Sequence, residues 1–383
     1  MEKKIQQAQA LIQEAKFDGW LLYDWQAINP LALKFLEAKP GSRRFFYFIP
    51  QKGECIKLVH QIEQGVLDHL PGEKRVYLSY GQLENALKEL LKDAKTIAME
   101  TSEKNRLPYV SKVDAGTIDL IRSFDVDVTS SAYLILPFET LNDRAFELHK
   151  EAMHLLEQCV QGAKKLIKAG GMDEYAIQQW ILKEFEKHDM VTHFPPIVAV
   201  NSNAADPHYF PNKEKTTPIQ PKDFVLIDLW CKKNQGGIYA DITQVLVFDS
   251  APTKRMQEIF AIVKAAQQAA IDLIQSYLAK GATIKGYEVD QAARKVITDA
   301  GFGKYFFHRL GHNIDENDHG SGTHLDSLET FDDRPLIKRT LFSIEPGIYI
   351  PGEIGVRLEC NAWIDDDNQL IITGGLQDAI FTI

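Results

Sequence analysis

The chain has 383 residues, 45% hydrophobic and 25% charged, with no low-complexity tract, so it reads as a globular protein too long for one core. A formal charge of −10 disfavours nucleic acid and anionic membrane as partners. No apolar run approaches the ~18 residues of a membrane span, the Met-Glu-Lys-Lys start lacks a signal peptide's apolar segment, and Cys55, Cys159, Cys231 and Cys360 show no paired spacing. Those features predict a cytoplasmic protein with reduced thiols.

Residues 1 to about 140 alternate short apolar runs with helical patterns. Ile5, Ala8, Leu11, Ile12 and Ala15 form a helical stripe that Gly19 is expected to close. Trp20–Tyr23, Arg44–Ile49, Ile56–Val59, Arg75–Leu78 and Thr96–Met99 read as strands, with a helix over Leu83–Leu91. This alternation predicts an α/β domain. It contains no Gly-rich phosphate loop, which leaves a structural or oligomerising role.

Past Leu141 the pattern changes. Asn142 or Asp143 caps a long helix with apolar positions Phe146, Met153, Leu156, Val160 and Ile167, ended by Gly170-Gly171. A second helix runs from Asp173 or Glu174 to about His188. The pair recurs as Thr253–Gly281 and Tyr287–Ala300. An acidic strand pair follows each: Asp228 with Asp241, then Glu345 with Glu359. Glu345 lies 117 positions after Asp228, and Glu359 lies 118 after Asp241. So constant an offset predicts a duplicated unit whose acidic strands face each other, with four helices outside a curved, largely antiparallel sheet. Cys360 alternates with Glu359 on its strand and should point into the core.

Between these halves of the acidic set lies Phe306-Phe-His308-Arg-Leu-Gly-His312-Asn-Ile-Asp-Glu-Asn-Asp-His319-Gly320. Beside four strand-borne carboxylates, a His makes metal chemistry the better explanation, and mostly oxygen donors suit hard or borderline divalent ions. Four carboxylates in one pocket could not all stay ionised without such cations.

At these residues the chain resembles the pita-bread metallopeptidases, in the Xaa-Pro dipeptidase (prolidase) and aminopeptidase P branch. The motifs are Asp228 with Tyr239-Ala-Asp241-Ile-Thr243, His308-Arg-Leu-Gly-His312, Ile344-Glu345-Pro-Gly-Ile-Tyr349 and Gly355-Val-Arg357-Leu-Glu359. The resemblance implies an α+β chain: a creatinase-like α/β domain over 1–140, then a pita-bread catalytic domain over 141–383 with an internal pseudo-two-fold repeat. It implies two divalent ions (manganese first, cobalt or zinc also fitting) held by Asp228, Asp241, His312, Glu345 and Glu359, with Asp241 and Glu359 bridging. Glu345 would manage the proton, His319 and His308 would bind substrate and stabilise the tetrahedral intermediate, and His208 would face the substrate. Arg357 and Thr243, on the ligand-bearing strand faces, would clamp the carboxylates, with Arg357 also near the substrate. The expected substrate is a peptide with proline in second position, the expected assembly a homodimer. Aminopeptidase P activity on longer peptides is the alternative. A metal-free creatinase-like amidinohydrolase and a non-catalytic binding module are disfavoured by retention of all five ligands.

The chain also departs from the family pattern. Asn313 and Asp315 replace two glycines, Gly320 replaces an acid, and Gln244 stands where many relatives have Arg. These changes bear on pocket shape and substrate preference.

Overall fold

In the computed structural model, which describes residues 1–383, the chain divides between Glu139 and Thr140 into two units. In the first unit α1 (Glu2–Glu14) buries Ile5, Ala8 and Ile12, as the stripe predicts. Its exit differs from expectation. Lys16 turns the chain with a positive φ of 60°, and Gly19 already belongs to the first strand. The strands are β1 (Gly19–Asp24), β2 (Phe45–Pro50), β3 (Ile56–His60), β4 (Glu73–Tyr77), β5 (Thr96–Met99) and β6 (Asp127–Ser130), in the sheet order β4-β3-β2-β1-β5-β6. β2 lies antiparallel to β1 and β3; the other pairs are parallel.

The helices are α2 (Pro30–Leu36), α3 (Tyr80–Leu91), α4 (Ala115–Arg122) and the short α5 (Ala132–Ile135). Alternate residues of β1 and β2 feed two cores: Trp20, Leu22, Tyr47 and Ile49 one, Leu21, Tyr23, Phe46 and Phe48 the other. A sheet buried on both faces explains why these strands read as continuous apolar runs. Glu100, fully buried at the end of β5, accepts from Trp20 Nε1 (2.6 Å), Asn29 Nδ2 (2.7 Å) and Ser131 Oγ (3.0 Å), which satisfies both carboxyl oxygens.

The second unit opens with α6 (Asp143–Ala169), capped by the Asn142 side chain accepting from Ala145 N–H (2.9 Å) and closed by Gly170 at φ 82°. α7 (Glu174–Lys187) is capped by Asp173. Then come β7 (Met190–Val191), β8 (Ile197–Val200), β9 (Phe224–Lys233) and β10 (Ala240–Val247). The second copy of the plan is α8 (Lys254–Leu278), capped by Thr253, and α9 (Gly286–Asp299). After it come β11 (Asn313–Ile314), β12 (Leu341–Ile344), β13 (Gly347–Ile350), β14 (Ile354–Arg357), β15 (Cys360–Ile364), β16 (Leu370–Thr373) and β17 (Phe381–Thr382).

The single curved sheet of the expectation is three pieces. One runs β17-β10-β9-β7 with β8 also on β9, one runs β11-β12-β15-β16, and β13 pairs with β14 alone; only the β10–β17 pair is parallel. α6 and α7 pack on one face of β8, β9 and β10, while α8 and α9 share a second core with β12 to β15 and with residues such as Ala199, Leu226 and Val245 from the other face of β8, β9 and β10. Two bonds stitch the larger sheets at their facing edges. Glu359 N–H donates to Thr243 O (3.2 Å) and Asp241 N–H to Asn361 Oδ1 (2.9 Å). The ladders break there, and the carboxylates of Asp241 and Glu359 sit at the break.

His149 of α6 ties the first copy to the second. It is fully buried, with Nδ1 2.7 Å from Tyr239 O and Nε2 2.7 Å from Thr373 Oγ1. A backbone carbonyl can only accept, so Nδ1 carries the hydrogen and the Thr373 hydroxyl donates to Nε2. Glu174, also fully buried, holds the loop after β8 by accepting from Val200 N–H (2.7 Å), Asn203 Nδ2 (2.8 Å), Tyr209 O–H (2.7 Å) and Thr217 N–H (2.8 Å).

Candidate metal centre

Asp228 lies in the middle of β9, opposite Thr243 of β10, and Asp241 lies two residues earlier on the same face. Glu345 immediately follows β12, and Glu359 falls between β14 and β15. His312 enters from the segment before β11. Gly311 lets it in, because a Cβ there would collide with the Ser343 carbonyl. α9 fixes that segment from behind. Asp290 accepts from Leu310 N–H (2.9 Å), and Arg294 donates to the carbonyls of Phe306 and His308 (2.8 Å each).

The donor atoms converge. Those of Asp228, Asp241 and Glu359 lie within 4.8 Å of one another, and so do those of His312, Glu345 and Glu359, and those of Asp241, His312 and Asp318. His312 Nε2 is 3.3 Å from Glu345 Oε1 and 3.7 Å from Asp241 Oδ2. Three acceptors here, Asp241 Oδ1, Asp318 Oδ1 and Glu359 Oε1, are buried without a hydrogen-bond donor. A buried acceptor left so costs about 1–3 kcal/mol, and more when it carries charge. Oxygen atoms in that state, arranged around one imidazole, fit divalent cations.

The electrostatics of the clustered side chains say the same. Burial first, then the Glu359 carboxylate, pushes Asp241 well above the usual carboxylate range, and burial followed by Glu345 does so for Glu359. Burial lifts Glu345 to about 7, and it lifts Asp318 to about 7 with help from Asp228. Burial also holds His312 neutral, as a metal-ligating imidazole must be.

Around the cluster runs a hydrogen-bonded frame. Arg357, buried, places Nη2 on Asp228 Oδ2, Nη1 on Tyr349 Oη (3.0 Å) and Nε on Thr243 Oγ1 (3.0 Å). The Thr243 hydroxyl sits 2.9 Å from both Asp228 Oδ1 and Glu359 Oε2. Arg357 therefore spends its donors on the frame, which favours the clamp over the substrate contact expected for it. His308 is similarly engaged, with Nδ1 2.7 Å from Arg309 O and Nε2 2.9 Å from Tyr349 Oη. Burial, then the Arg357 charge, lowers it to about 3, so it is a neutral prop for Tyr349 with neither nitrogen free.

The cluster lies at the floor of a cavity of 830 Å³ whose lining includes His208, His308, Arg309 and His319. His319 is half exposed, its ring 4.3 Å from that of His312. His208 is exposed in the loop that Glu174 holds, 6.5 Å ring to ring from Phe210. Phe194, Trp230 and Phe307 supply an aromatic wall. Sequence reading missed this wall, along with Asp318 and Tyr349. Trp230 carried a signal, lying two residues after Asp228 and so on its face of β9. Gln244 does not reach this cavity. It lines a separate groove against α6 with Cys159 and Trp180, on the other face of β10.

The remaining departures are one spatial event. Asn313 Oδ1 accepts from Gly322 N–H (2.9 Å), and a Cβ on Gly320 would run into both that oxygen and the Asp315 carboxylate. The side chains gained at 313 and 315 occupy the room freed at 320. Gly320→Ala should therefore cost about 1–3 kcal/mol in chemical denaturation, the range of core overpacking, and adding Asn313→Gly should recover much of it. Additive losses in the double variant would refute the coupling.

The profile of metallopeptidase family M24 matches residues 147–366, more than half of the chain and the whole cluster. The chain belongs to metallopeptidase family M24. Among curated relatives, an Xaa-Pro dipeptidase of Lactobacillus delbrueckii subsp. lactis is 41% identical over 176 residues, 46% of this chain and 44% of that protein. The chain thus aligns with less than half of that dipeptidase. An uncharacterized peptidase of Staphylococcus epidermidis is 26% identical over 376 residues, 97% of this chain and 98% of its own length. Among solved structures, a dipeptidase of Mycobacterium ulcerans superposes with a TM-score of 0.74 at 20% identity, covering 100% of this chain and 97% of that one. An Xaa-Pro dipeptidase of Bacillus anthracis gives 0.67 at 21%, covering 100% and 99%. These likenesses show the pita-bread fold.

Proposed function

We propose that this M24 protein is a dinuclear-metal peptidase that hydrolyses the bond between an N-terminal residue and proline, as an Xaa-Pro dipeptidase. The observation that carries it is the meeting of Asp228, Asp241, His312, Glu345 and Glu359 at the cavity floor, with buried oxygens that no protein donor satisfies. The dipeptidase relative at 41% identity supports the substrate class. On this reading Met1–Glu139 is the creatinase-like domain and Thr140–Ile383 the catalytic one. Manganese suits the oxygen-rich donor set, with cobalt and zinc as alternatives. The working form is a cytoplasmic homodimer.

When bound, two divalent cations lower the pKa of a water toward neutrality and draw charge from the scissile carbonyl. Glu345, at the cavity floor beside His312, takes the water's proton and returns it to the departing proline nitrogen. That return matters because an imide nitrogen has no hydrogen of its own. His319, beside His312 and open to the cavity, donates to the carbonyl oxygen as charge builds there. His308 acts behind Tyr349 rather than on the substrate. His208 closes the outer side.

A dipeptidase must also bind the carboxylate of its C-terminal proline. Arg309 lines the cavity beside His308 and His319 and is the cation we assign to that carboxylate. The protein should cleave an Xaa-Pro dipeptide faster than its amide or an Xaa-Pro-Yaa tripeptide. Arg309→Gln should raise KM for the dipeptide about 30-fold or more, the equivalent of losing a buried charge pair worth roughly 2 kcal/mol. Faster cleavage of the tripeptide would assign the protein to aminopeptidase P instead.

A further inference from the structure

We propose that Asp318 is a sixth protein ligand of the metal centre, adding its carboxylate to the ion that His312 holds. The proposal rests on reading the cluster as a metal site. Asp318 is only 7% exposed, and its Oδ1 is buried without a donor. Its ligand oxygen, one from Asp241 and a ring nitrogen of His312 all lie within 4.8 Å of one another. The neighbouring His319 does not account for it, since Nε2 stands 3.8 Å from Asp318 Oδ2, beyond hydrogen-bond reach.

The loop is built to deliver this side chain. Asp315 turns back on itself, its Oδ1 accepting from Asn317 N–H (2.6 Å) and its own N–H donating to Asn317 O (3.0 Å). Lys232 Nζ holds the Glu316 carbonyl (2.6 Å), and Gly320 N–H returns to Asn313 O (2.8 Å). Of the acids in this loop, the Asp315 carboxylate is committed to the turn, Glu316 is exposed, and Asp318 is the one brought to the cluster.

Charge accounting agrees. Asp228, Asp241, Asp318, Glu345 and Glu359 carry five negative charges if all are ionised. Arg357 and two divalent ions supply five positive ones. An additional oxygen donor also moves the centre toward ions such as manganese.

The test uses the full chain, stripped of metal and titrated calorimetrically with Mn²⁺, with bound ions counted after dialysis. The native protein should take up two ions. In Asp318→Asn one of them should bind at least about 10–100-fold more weakly, the loss typical when a residue that supports a metal site is removed. Asp318→Ser, which removes the same charge with less bulk, should reproduce that loss, and circular dichroism of both metal-free variants should match the native spectrum. Two ions at native affinity in both variants would overturn the role of Asp318 and leave the proposed peptidase intact. A native protein that takes up no divalent ion would overturn both.

Discussion

Asp241→Asn should abolish divalent-ion uptake and lower peptide turnover by more than the roughly 10²–10³-fold lost when a single electrostatic donor is removed from an active site. Asp241 belongs to two of the three donor groups, so its loss affects both ion positions, whereas Asp318→Asn affects one. An amide of the same shape keeps one oxygen but brings an NH₂ and no charge. The same change should raise the melting temperature of the metal-free protein. Without ions, Asp241 faces Glu359, Asp318, Asp228 and Glu345, and burial with those neighbours works against its ionisation. The variant should therefore be more stable when empty and gain nothing from added metal. Equilibrium dialysis with metal analysis, beside melting curves with and without Mn²⁺, reads both effects. Full occupancy in the variant would refute the assignment of Asp241 as a ligand.

The second large effect is acid lability centred on His149. Burial lowers it from 6.5 to about 4, and both ring nitrogens are used by the neutral form. A depressed folded-state pKa contributes stability that is complete above pH 6.5 and lost as pH falls through 4. At about 1.4 kcal/mol per pH unit, native stability should drop by about 3 kcal/mol by pH 4 from this residue. His149→Gln, which cannot take up the proton, should be less stable at pH 7 and lose less on acidification. Urea titrations of both proteins at pH 7 and pH 4.5 measure the difference. Parallel losses would show that carboxylates elsewhere dominate the acid response.

Much of this was legible because it depends on period and spacing. The four long helices of the second unit carry both a 3.6-residue apolar stripe and end signals such as Asn142, Asp173 and Gly301. The acidic pairs were visible because a strand must present alternate residues to one side. Where the signal failed, the causes were physical too. β6 and α2 are short elements, and Lys16 adopts a left-handed turn that a glycine usually supplies. Asp318 looked like one acid among several in a polar loop. Only the three-dimensional loop shows that Asp315 is consumed by its turn while Asp318 is not. Tyr349 read as a strand residue, and its pairing with His308 and Arg357 depends on β13 and β14 meeting away from the main sheets.

The two hydrogen bonds joining the sheets at Glu359 and Asp241 have a wider consequence. The second copy's core takes in the inner faces of β8, β9 and β10 from the first, and neither copy contains a whole ligand set. Asp228 and Asp241 come from the first, and His312, Glu345 and Glu359 come from the second. A cation held between them acts as a rivet through a seam that backbone bonding leaves thin. The side chains under that rivet therefore answer to both copies at once, and loading the site also fastens the joint between them.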